Sequence, residues 1–222
     1  MSLSRKRLVF AVILSMLCSF YLNTFSHKKG RFIRGASAGA YTWLVNMLNL
    51  QQLVVGFLWM GFDHDSMNAL GNYHRQLITL DAITSLDPAD FDAWSLKCFM
   101  RLDQAHKKNK EMRARALKDY ELACSLNPDN YRYPEDAAEA IFFKLKNNEL
   151  AMKYLLKAEK FADHSMKTEK LFSYIFEKEG KFSKALEYQK KILTRAEISN
   201  GDRRTAKRRI KEIEAELNSE IK

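Results

Sequence analysis

The chain has 222 residues, 46% of them hydrophobic, with only 8 Gly and 3 Pro, which excludes a disordered or collagen-like chain. So few turn residues also exclude an all-β fold, which needs a turn signal at short, regular intervals. The net charge of +10 would suit a polyanion partner if it were spread over the fold, so its position decides what it means.

The charge sits at the start. No acid precedes Asp63, while Arg5, Lys6, Arg7, Lys28, Lys29, Arg31 and Arg34 are all basic. Between these clusters runs LVFAVILSMLCSFYLNTF, residues 8–25, which would span about 27 Å as a helix against a hydrocarbon core of roughly 30 Å. No small-x-small cleavage site follows it directly, so it reads as an uncleaved single-pass anchor after a basic tail, residues 1–7, rather than a cleaved signal. A short basic tail ahead of an anchor stays inside, which places the body outside the cytoplasm.

Residues 26–56 read as a juxtamembrane apolar helical segment, and residues 35–62 carry no charge. A second span is disfavoured because Asn46, Asn49, Gln51 and Gln52 fall in its middle, where an unpaired amide is costly in hydrocarbon. Asp63, His64 and Asp65 form one compact cluster, read as a solvated break in the first helix pair rather than a metal site.

A repeat follows. QLITLDAITSLDP (76–88) and ALKDYELACSLNP (116–128) share a shape that recurs, shortened, as AMKYLLKA (151–158) and ALEYQKKI (185–192). A turn precedes three of them: Gly71 to Tyr73, Lys146 to Asn148 and Gly180 to Phe182. This phasing resembles the tetratricopeptide repeat, a stack of antiparallel helix pairs with small residues where helices cross and a Pro that ends each second helix.

The resemblance implies an all-α, tetratricopeptide-like α-solenoid of about four helix pairs over residues 57–199. The second unit places Trp94, Cys98, Ala116, Ala123 and Pro128 on the family pattern, and the fourth places Ser173, Gly180 and Ala185. Departures are Gln76 and Ile83 at small positions, extra residues near His106 to Glu111, and a third unit with Glu139 at a small position and no Gly. FLWM (57–60), LDAITSLDP (80–88) and NPDNYRYP (127–134) look more narrowly like a group of bacterial membrane-anchored repeat proteins, which implies an envelope location and brings no assigned chemistry; with the anchor, the expected place is a bacterial inner membrane.

Asn200 and Gly201 read as a helix stop, and residues 202–222 as a capping helix with Ala206, Ile210, Ile213, Leu217 and Ile221 on one face. Its basic residues, Arg203 to Lys211, are diluted by Glu212, Glu214, Glu216 and Glu220, so nucleic-acid or anionic-membrane binding is the lesser reading.

No CxxC, GxSxG, P-loop or HExxH occurs, so no catalytic, cofactor or metal residue is assigned, and neither an enzyme nor a small-molecule substrate is expected. Cys98 and Cys124 read as small buried hydrophobes; a disulfide between them is the alternative outside the cytoplasm.

The resemblance implies a concave groove lined by the first helix of each pair. Its positions fall on Asp92, Ser95 and Phe99, on Tyr133, Asp136, Phe143 and Lys144, and on Lys167, Lys170, Tyr174 and Lys178. Aromatics mixed with Lys would suit a peptide with some acidic character. The carboxylate clamp of some family members needs Asn where this chain has Leu96, Phe99, Ala137, Ala140, Leu171 and Tyr174, so that mode is disfavoured. The expected function is a protein-binding scaffold or adaptor of an envelope complex. The alternative is a structural subunit docked through residues 35–62.

Overall fold

The computed structural model describes residues 50–67, 73–105 and 110–220. Gln51–Lys222 forms one compact unit. The basic tail, the expected anchor at 8–25 and most of the juxtamembrane segment lie outside the described residues. No helix among the described residues is long and apolar enough to cross a membrane.

The described residues are all-α. The helices are α1 Gln51–Met67, α2 Tyr73–Leu86, α3 Phe91–Ala105, α4 Lys110–Leu126 and α5 Arg132–Ala140. A π turn, Ile141–Leu145, extends α5, and α6 Asn148–Ala158, α7 Met166–Lys178, α8 Phe182–Thr194 and α9 Asn200–Glu220 complete the row. They pack as neighbouring pairs, α1 with α2, α3 with α4, α5 with α6 and α7 with α8, and α9 lies on α8. The first helix of one pair also touches that of the next, α3 against α5 and α5 against α7.

Small residues set the closeness of this packing. Ala116, Ala151 and Ala185, expected where helices cross, are fully buried on α4, α6 and α8. A core runs from Trp94 to Ile213, and a smaller cluster gathers Val55, Phe62, Leu80, Ile83 and Ala93. Ile83, a large residue at an expected small position, is fully buried in that smaller cluster.

The proline turns end helices as expected. α2 stops at Leu86 and α4 at Leu126, each just before an Asp-Pro or Asn-Pro pair. The turns are also stitched together: the carbonyl of Pro88 accepts from the Trp94 indole (3.0 Å) and the Asn127 amide (2.9 Å). Asp90 then caps α3 by accepting from the Ala93 amide at 2.9 Å.

The turns inside the last two pairs use left-handed residues. Gly180 (φ 70) closes α7, with Lys181 N–H donating to Phe176 C=O and Gly180 N–H to Glu177 C=O. The same place after α5 is held by Lys146 (φ 54), and Asn147 caps α6 by accepting from the Leu150 amide. A side chain in this backbone region costs about 1 kcal/mol. Lys146→Gly should therefore raise the urea midpoint by an equivalent of about 1 kcal/mol, and Gly180→Ala should lower it by about as much. Nothing lies within 4 Å of a Cβ built at Gly180, so that cost is conformational.

Four expectations change. Asp63, His64 and Asp65 do not break the first pair: they ride on the last turns of a continuous α1, where Asp65 accepts from Arg75 at 3.3 Å. Helix α1 starts at Gln51, so residues 51–56 are its first turns rather than a segment ahead of the repeats. Asn200 and Gly201 open α9 instead of stopping a helix, because Ser199 accepts from the Asp202 amide and donates to its carboxylate (3.0 and 2.6 Å). Glu139 is not at the closely packed position of its helix. The π turn lengthens α5 by one residue, and fully buried Ala138 matches Cys98 of α3 and Ser173 of α7.

Candidate functional site

The first helices bring six of the expected groove residues to one cleft of about 590 Å3: Asp92, Ser95 and Phe99 from α3, Asp136 from α5, and Phe143 and Lys144 from the π turn. Leu96 and Ala140, at the clamp positions, complete its lining together with Trp59, Tyr120 and Glu139, which were not expected there. Counting forward from Pro128, as α3 counts from Pro88, puts Glu139 level with Phe99 and would have found it. Trp59 and Tyr120 carry no such signal, since they come from the first pair and from a second helix.

Two phenyl rings stay open to solvent in this cleft, Phe99 at 45% exposure and Phe143 at 46%. Single exposed apolar residues are ordinary, but two aromatic rings lining one recess are not. Trp59 is fixed beside them by its indole N–H, which donates to Asp90 at 2.9 Å.

Asp136 forms no ion pair among the described residues. Burial raises its carboxyl pKa; hydrogen bonding from Ser95 and the Lys167 charge oppose the rise, and Glu139 and Glu135 add to it. Tyr120, 3% exposed, sets its hydroxyl beside this carboxylate, the two joined only by a weak, poorly aligned hydrogen bond. Burial first, then the Asp136 charge, push the Tyr120 pKa well up.

The remaining expected residues divide differently. Tyr133 is not a groove residue: it is buried, its hydroxyl donates to Ala89 C=O at 2.9 Å, and its ring meets Phe91 edge-on. Lys167 lies 2.8 Å from Glu139 and 3.6 Å from Glu135, and Lys170 lies 2.7 Å from Asp202. Tyr174 and Lys178 line a second recess of about 710 Å3 between α7 and α9, where Arg209 is held by Glu177 and Glu212.

Neither described thiol is activated. Cys98 is buried and Cys124 half-buried, both are free, and burial pushes the Cys98 pKa well up and that of Cys124 to about 11. The arrangement offers a surface for holding a segment, with aromatic rings, a half-buried carboxylate and a shelf of paired charges.

No family model matches the chain, and no curated protein matches it.

Proposed function

We propose that this protein is a membrane-anchored, tetratricopeptide-like scaffold that binds another protein through the α3–α5 cleft. The observation that carries this reading is the pair of exposed rings, Phe99 and Phe143, lining one recess. Four successive pairs, a buried small residue on each of α3, α5 and α7, two proline turns and left-handed Lys146 and Gly180 support the repeat architecture. The anchor is residues 8–25 with its flanking basic clusters, and the repeats lie on the outer side of a bacterial inner membrane. It acts by presentation: the anchor fixes the position, and the cleft holds a partner segment.

Phe99→Glu with Phe143→Glu should remove a partner from detergent pull-downs of the full chain, with helical content unchanged by circular dichroism. Undiminished recovery of every partner would overturn this reading.

One observation favours docking as a structural subunit. Leu53, Phe57 and Met60 are 47%, 53% and 59% exposed at helical spacing on α1. On that reading, Ser at all three positions releases the protein from its membrane complex, while the Phe99 and Phe143 changes leave the complex whole.

A further inference from the structure

We infer that the docking cleft proposed above, on which this rests, takes a cationic–apolar segment: a Lys or Arg head meets Asp136 while an adjoining apolar side chain lies on Phe99 and Phe143.

The charges on the cleft wall point this way. Three carboxylates line it, Asp92, Asp136 and Glu139, against one ammonium, Lys144. That ammonium is already matched, since Lys144 Nζ lies 2.9 Å from Asp103. It also sits 4.5 Å from the Phe99 ring centroid. Glu139 is held by Lys167 at 2.8 Å, and Asp92 faces Arg132 more loosely at 3.8 Å. Asp136 alone is left without a cation. The expectation of an acidic partner rested on four groove lysines: Lys144, Lys167 and Lys170 are committed to carboxylates of this chain, and Lys178 lies over the Phe142 ring and lines the other recess.

The chemistry of the floor agrees. An incoming ammonium or guanidinium would pair with the Asp136 carboxylate, whose buried neighbours Ser95 and Tyr120 bring hydroxyls but no positive charge. The faces of Phe99 and Phe143 favour both apolar contact and a nearby cation. An acidic segment would instead meet three carboxylates, and like charges brought together suppress the wrong partner.

The groups facing Asp136 also set a direction with pH. Cys98 comes from α3, Tyr120 and Cys124 from α4, Glu135 and Glu139 from α5, and Lys167 from α7. Lys167 is the only cation among them, and its own pKa is raised: burial lowers it, but Glu139, Glu135 and Asp136 outweigh that. Asp136 must be ionised to hold a cation, so affinity is full above its raised pKa and falls as pH drops through it.

The test is selection of a random peptide library displayed on phage against the full chain in detergent micelles, comparing wild type, Asp136→Asn, and Phe99→Ala with Phe143→Ala. Enriched wild-type sequences should place Lys or Arg next to Phe, Leu, Met or Trp. Asp136→Asn, which keeps the shape and an acceptor for Ser95, should weaken the best such peptide about tenfold or more and spare its Lys→Gln analogue. Sequences that are acidic or indifferent to charge, yet lost in the Phe variant, would overturn the cationic inference and leave the docking cleft standing. Sequences unaffected by the Phe variant, or no enrichment at all, would overturn both.

Discussion

Arg195→Ala should destabilise the fold by about 3–5 kcal/mol, read from urea unfolding of the full chain with an unchanged slope. Arg195 follows the last residue of α8, and its Nε and Nη2 donate to one oxygen of Glu169 at 2.9 and 2.6 Å. Glu169 lies in the first turn of α7 with its side chain only 7% exposed, and His164 Nε2 reaches the same oxygen at 3.1 Å. The other oxygen, Oε2, is buried without a partner, so this carboxylate already has less than it can accept.

Removing the guanidinium leaves a buried charge supported by one imidazole, a far larger loss than that of an exposed pair. Arg195→Lys keeps the charge but loses the two-pronged contact, and should fall between wild type and Ala. The double change Glu169→Leu with Arg195→Met should return most of the loss, because the desolvation cost disappears with the pair. A single-variant loss below about 1 kcal/mol would show that the clamp contributes no more than a surface ion pair.

Such clamps were not legible in the sequence. Lys97 and Arg101 on α3 meet Asp81 of α2 and Asp119 of α4, and Glu135 on α5 accepts from Thr168 on α7 at 2.6 Å. Each partner lies more than a helix away in sequence, and only the packed row makes them neighbours. What was legible was local: the Asp-Pro and Asn-Pro turns, the turns at Lys146 to Asn148 and at Gly180, and the small residues at crossing points each act through residues a few positions away.

The misreadings have the same origin. Gly201 signals a stop only when no capping residue stands before it, and Ser199 does. The third unit slipped by one because Ala151 set the count from behind the π turn. Counted from Pro128, Ala138 falls at the small position. The cleft was legible as positions along α3 and α5, but three of its four expected lysines, Lys144, Lys167 and Lys170, are matched by carboxylates that only the packed row brings near.

Phe172→Ala and Phe143→Ala should separate stability from binding. Phe172, 1% exposed on α7, stacks on Tyr188 of α8 at 4.5 Å between centroids and on Phe176 at 6.2 Å. Truncating it removes a full aromatic side chain and opens a cavity between the two helices, a cost of about 3–5 kcal/mol. Phe143 touches Phe142 edge-on at 4.9 Å but leaves nearly half its surface in water, so its truncation should cost under about 1 kcal/mol. Urea midpoints and pull-down yields measured on both variants should then move in opposite order. The Phe172 variant loses stability but recovers its partner wherever it is still folded, and the Phe143 variant keeps stability but loses the partner. A ring that contributes so little to the fold at its own place on the cleft is explained by what it docks; if Phe143→Ala proved as destabilising as Phe172→Ala, its packing would explain it and the docking role would lose its support.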